Sequence, residues 1–153
     1  MGFKSIDEIL KFAVDREKEA VEFYSSLSKE ATRPALKDVF QKFSEEEKKH
    51  VTLISDIAGN KDQIDSYEFK NIIDLKISDY MVATEYEEGM PMPEILKIAM
   101  KKEEYSVKLY RDLGNRTDNE EAKKLFKLLV QEEQKHKLAL ETMFDDDLAS
   151  QEG

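Results

Sequence analysis

Cysteine is absent from this chain of 153 residues. That one absence excludes disulfides, thiolate metal sites, iron–sulfur clusters and a cysteine nucleophile. Glycine and proline are scarce, five and three residues, which leaves little for strands and tight turns. No apolar run approaches the length of a membrane span, and the N-terminus has no signal-peptide apolar region. "MGFKSI" resembles a myristoylation start but has Ile6 where Ser or Thr is wanted. A cytoplasmic protein with no membrane partner is expected. Positive charge is also short: 24 Lys and Arg against 34 Asp and Glu leave a net charge of −10. No basic stripe stands out in the sequence to meet phosphates, so no nucleic-acid partner is expected.

What is plentiful is Glu, Lys, Leu and Ala, the composition of a helical protein, in a chain of single-domain length. Ser5 and Glu8 form a capping box, after which Ile6, Ile9, Leu10, Ala13, Glu17, Ala20, Tyr24 and Leu27 recur at helical spacing. Thr32-Arg33-Pro34 ends this helix and starts a second, with Leu36, Val39, Phe40, Phe43, Glu47, His50, Ile54 and Ile57 inward and Gly59-Asn60 as its stop. Pro91 and Pro93 announce a third helix, striped by Ile95, Leu96, Ala99, Glu103, Val107, Tyr110 and Leu113 and stopped by Gly114. Asp118 with Glu121 caps a fourth, carrying Ala122, Leu125, Phe126, Leu129, Glu133, His136, Leu140 and Met143. The expected architecture is all-α, a four-helix bundle in one domain. A first helix pair covers 5–58, a crossover 59–92, a second pair 93–143 and a frayed acidic tail 144–153. The crossover is rich in apolar residues (Ile64, Tyr67, Phe69, Ile72, Ile73, Leu75, Ile77, Tyr80, Met81), so it is expected to pack on the bundle or on a second subunit.

The two pairs are a repeat. At a fixed offset of 86 residues, Glu17 meets Glu103, Tyr24 meets Tyr110, Phe40 meets Phe126, Glu47 meets Glu133 and His50 meets His136, without a gap. Both histidines of the chain and four glutamates at otherwise apolar positions thus align at one offset, which marks an internal duplication of a helix–turn–helix unit. An unpaired buried carboxylate costs several kcal/mol, so four of them need a shared reason. Glu and His three apart fall on one helix face. Helices 2 and 4 therefore each present Glu-x-x-His, and helices 1 and 3 each present one Glu, the ligand set of a carboxylate-bridged two-metal site. Glu17, Glu47, His50, Glu103, Glu133 and His136 are the expected ligands. Glu47 and Glu133 are expected to bridge, Glu17 and Glu103 to be terminal, and each histidine to bind one ion. Two divalent cations would neutralise the four carboxylates, so metal is expected to stabilise the fold. Such a set suits iron or manganese, and zinc is possible. Tyr24 and Tyr110, two turns beyond Glu17 and Glu103, are either second-layer donors to the cluster or plain core tyrosines.

"REKEAVEFY" with "EEEKKH", echoed by "KEEYSVKLY" with "QEEQKH", resembles the rubrerythrin-like branch of the ferritin-like di-iron carboxylate superfamily. The resemblance spans both helix pairs. It implies a four-helix bundle with a long crossover, two iron ions, and a homodimer or larger homo-oligomer. The implied activity is non-haem di-iron oxidoreductase chemistry of peroxidase or ferroxidase type, in oxidative-stress defence or iron homeostasis. Two departures qualify it. Rubrerythrins proper carry a four-cysteine rubredoxin domain that this cysteine-free chain lacks, so peroxide reduction would need an external electron donor. Their extra glutamate, about one turn beyond the third-helix ligand, is Ser106 here, with Ala20 as its repeat mate. A non-catalytic iron-binding or storage protein is the alternative, and a purely structural helical bundle the second.

Overall fold

A computed structural model of the chain describes residues 3–59, 69, 75–82 and 84–152. Its α-helices are α1 (Ile6–Glu30), α2 (Pro34–Ala58), α3 (Met92–Asn115) and α4 (Glu120–Glu152), with a short 3-10 helix at Ile77–Tyr80. Among the described residues there is no β-strand, only an isolated bridge between Phe69 and Thr117. No helix among them is long and apolar enough to cross a membrane. The contacts divide the chain into two compact units, Phe3–Glu68 and Phe69–Gly153, each holding one helix pair.

In the first unit Ser5 caps α1, its Oγ accepting the Glu8 N–H at 3.2 Å. Asp7 and Glu8 add negative charge where the helix dipole is positive. The helix ends when Ala31 turns to extended backbone and its N–H donates to Leu27 O. Pro34 then opens α2, where a missing N–H costs nothing. Gly59 follows its last residue in right-handed conformation. α1 and α2 run antiparallel: Ser28 Oγ donates to Lys37 O at 2.8 Å, and further along Ser44 Oγ donates to Val21 O at 3.0 Å. The buried face is wider than the expected stripe. It adds Val14, Val21 and Phe23 on α1 and Ser44 on α2, while Ile6, Ala20, Leu36 and Val39 are only half-buried.

The second unit corrects three expectations. α3 does not stop at Gly114: it runs on to Asn115, and Arg116 N–H donates to Leu113 O at 3.1 Å. A glycine inside a helix costs only about 1 kcal/mol, and the real stop is Thr117, buried and bridged to Phe69. The cap of α4 is Asn119 rather than Asp118, with Asn119 Oδ1 accepting the Ala122 N–H at 3.0 Å. Asn119 is placed for this by its own N–H, which donates to Thr117 Oγ1. Finally, the tail does not fray at 144, because α4 continues to Glu152.

The described part of the crossover packs on this second unit. Leu75 and Tyr80 are buried, Tyr80 Oη donates to Asp112 Oδ2 at 2.7 Å, and Phe69 meets Phe126 edge-on. Burial and the Asp112 carboxylate together raise the Tyr80 phenol well above its ordinary pKa. Met81 is exposed. Ile64, Tyr67, Ile72 and Ile73 lie outside the described residues, and Ile77 begins the 3-10 helix.

Candidate metal centre

Helical periodicity brings a carboxylate, a carboxylate and an imidazole together inside each unit. In the first, α1 supplies Glu17 and α2 supplies Glu47 and His50, each with a ligand atom within 4.8 Å of the others. In the second, α3 supplies Glu103 and α4 supplies Glu133 and His136 under the same limit. All six residues are at most 4% exposed, so none of them sits on a solvated surface. The repeat extends to distances. His50 Nδ1 stands 3.5 Å from Glu17 Oε2, and His136 Nδ1 stands 3.5 Å from Glu103 Oε1. His50 Nδ1 is also 3.6 Å from Glu47 Oε2.

These separations exceed an ordinary N–H···O bond of about 2.7–3.2 Å. Two donors each about 2.1 Å from one ion stand roughly 3.0–3.4 Å apart at octahedral to tetrahedral angles. The observed 3.5–3.6 Å lies just outside that range, and the clusters are composed as cation ligands: hard carboxylate oxygens with one imidazole nitrogen suit iron, manganese or zinc. Electrostatics agree. Burial raises the Glu17 carboxyl well above its ordinary value, and the neighbouring Glu47 charge raises it further. Burial pulls the His50 imidazole down, yet the Glu17 and Glu47 carboxylates outweigh it and push it up to about 10. A pocket that takes up protons this readily is one in which a positive charge belongs.

Tyr24 and Tyr110 are both buried, two turns along from Glu17 and Glu103. Tyr24 stacks on Phe40 with ring centroids 6.3 Å apart and planes 15° apart, and Tyr110 stacks on Phe126 at 6.3 Å and 19°. The packing beside each cluster is thus repeated as well. Ser44 is a buried polar residue the periodicity missed, being hidden in the Ser-Glu-Glu-Glu run that opens the histidine motif. Its repeat mate, Val130, was the available signal that the position faces inward.

An all-α fold built from two helix pairs, each burying a Glu–Glu–His cluster, defines a class of carboxylate–histidine metal proteins. The rubrerythrin family model matches residues 8–144, and the chain belongs to that family. Among solved structures it is similar to a Thermotoga maritima protein assigned as a ferritin-like diiron-carboxylate protein. The TM-score is 0.77 at 24% identity, over 96% of this chain and 99% of that one. A hypothetical protein from Pyrococcus furiosus matches at TM-score 0.70 and 25% identity, over 93% and 89% of the two chains. CopM in a silver-bound form matches at TM-score 0.64 and 11% identity, over 95% and 98%. No curated protein sequence matches the chain. The fold class is thus the expected all-α, ferritin-like four-helix bundle.

Proposed function

We propose that the two clusters act together as one two-metal centre, with Glu17, Glu47, His50, Glu103, Glu133 and His136 holding two iron ions. The observation that carries this reading is the buried Glu–Glu–His cluster that occurs twice with the same histidine–glutamate spacing. Glu47 and Glu133 are the bridging carboxylates in this proposal, Glu17 and Glu103 the terminal ones. When bound, a redox-active ion pair supplies two electrons to peroxide or dioxygen, or accepts them from incoming Fe(II). The chain's own residues hold the ions in a buried pocket, balance their charge with four carboxylates, and exclude bulk water.

The activity we propose is that of a non-haem di-iron oxidoreductase, peroxidase or ferroxidase in type, in oxidative-stress defence or iron homeostasis. An external electron donor, a cytoplasmic location and a homo-oligomeric state belong to the same proposal. Membership of the rubrerythrin family supports it. The test starts from protein purified without oxygen, loaded with Fe(II) and analysed for metal, with about two ions per chain expected. Hydrogen peroxide with a chemical reductant should then be consumed over many turnovers. A single slow oxidation instead would establish the storage reading, and failure to retain any metal would overturn both.

A further inference from the structure

Ser44 is buried in the first helix pair, and the metal reading makes no use of it. Its hydroxyl does not turn back onto α2, as a serine inside a helix commonly does. It donates across to α1, to Val21 O at 3.0 Å, in a buried bond. A backbone carbonyl has two lone pairs, so Val21 O can accept this bond without giving up its helical one. Both residues sit beside metal-ligand candidates. Ser44 is three positions before Glu47 on α2, and Val21 is four positions after Glu17 on α1. Because the helices are antiparallel, both offsets lead the same way along the pair. The bond therefore ties α1 to α2 about one turn from the cluster.

The second helix pair provides an internal control. The residues 86 positions on are Val107 for Val21 and Val130 for Ser44, beside Glu103 and Glu133. Valine has no hydroxyl, so this bond cannot form there. Farther from the cluster the contrast recurs: Ser28 Oγ donates to Lys37 O at 2.8 Å, whereas the mate of Ser28 is Gly114. The candidate ligands themselves do not differ. Each cluster is Glu–Glu–His, with the histidine 3.5 Å from the glutamate of the facing helix. The two pairs thus carry the same donor set, and only one of them is braced by a polar bond beside it.

We propose that Ser44 is a positioning residue that makes the Glu17–Glu47–His50 position the tighter of the two, so that it fills with metal first. The inference rests on the two-metal reading above. Without a cation, ionised Glu17 and Glu47 repel each other, which tends to part α1 from α2. The Ser44 bond resists this and keeps the helices near the spacing at which the cluster binds. Less reorganisation then accompanies binding, and the saving appears as affinity. Glu103 and Glu133 meet the same repulsion with two valines at the matching level. The net strength of one hydrogen bond corresponds to a preference of about threefold to tenfold.

The chain has two histidines, one in each cluster, so each imidazole reports one metal position. The full chain, freed of metal, is titrated with Zn(II) while the two ring signals are followed by NMR, told apart with His136→Gln. The His50 signal should respond first, with a preference of about threefold to tenfold over His136. Ser44→Ala should reduce that preference to about twofold or less, whereas Ser44→Thr, which keeps the hydroxyl, should retain it. Circular dichroism checks folding, and Ser44→Val, the side chain the second pair carries there, serves if Ser44→Ala does not fold. A merely structural serine would lower stability without changing which ring responds first. Three results would overturn the inference and leave the two-metal reading standing: both rings responding together as two ions bind, His136 responding first, or a preference that survives loss of the hydroxyl. Silence of both rings would overturn the two-metal reading and this inference with it.

Discussion

In the first helix pair His50 stands 3.5 Å from Glu17, and in the second His136 stands 3.5 Å from Glu103. Tyr24 on Phe40 and Tyr110 on Phe126 share a 6.3 Å ring separation. Beyond those rings the pairs part company. Ser28, Lys37 and Ser44 lace α1 to α2 with hydrogen bonds, whereas Gly114 and Val130, which match the two serines, have no hydroxyl with which to do so. Where the residues repeat, so does the geometry, because burial leaves each side chain few places to go. Where they differ, one pair makes a bond between its helices that the other has no side chain to make.

The comparison can be broken most forcefully at the clusters. Glu47→Ala and Glu133→Ala should each lower bound metal from about two ions per chain to one or fewer, read by elemental analysis. A loss in one variant only would mean that a single cluster holds the metal. Next in size, Phe40→Ala and Phe126→Ala should each cost about 3–5 kcal/mol in urea unfolding of the same metal-free protein. Both rings are fully buried against a tyrosine, so a gap of more than about 1 kcal/mol between them would show that one pair relaxes around its missing ring more than the other.

A smaller effect concerns pH. The His50 value is raised from 6.5 to about 10, so in metal-free protein its contribution is complete below about pH 6.5 and lost as pH rises through about 10. Glu17, also raised, acts in the same direction from lower pH, since its neutral form is the one the fold prefers. Chelated protein should therefore lose stability from pH 6 to pH 10, and His50→Gln should flatten the upper part of that slope. Bound cation should remove it, because metal replaces the proton. An unfolding midpoint independent of pH in the chelated protein would contradict this. Smallest of all, Ser5→Ala and Asn119→Ala should each cost about 1 kcal/mol, since one cap opens each unit's pair or its second helix. A null result at Asn119 would return the capping role to Asp118.

Much of this was readable from residue order. Glu17, Glu47, His50 and their mates were legible because a charged residue on an apolar stripe is costly, and the repeat shows the same cost incurred twice. The Ser5 cap and the Pro34 start were legible because each acts within one turn of itself. Gly114 and Asp118 misled for the converse reason. A glycine near a helix end reads as a stop, but α3 ends where Thr117 is tied to Phe69, a residue 48 positions away. Likewise Asn119 and Asp118 are equally good caps on paper, and the Thr117 hydroxyl selects between them. The tail read as frayed from its aspartates, although nothing in "DDDLASQE" breaks a helix already under way.

The sequence by itself determined the helices, their pairing and the six polar residues that had to be buried, because periodicity and the cost of burying charge are local or additive along the chain. It also contained Ser44, but as one polar residue in a charged run. Only the packing of α1 against α2 decided that its hydroxyl bonds the Val21 carbonyl rather than its own helix. A bond of that kind is settled by distances across two helices rather than by spacing along either one.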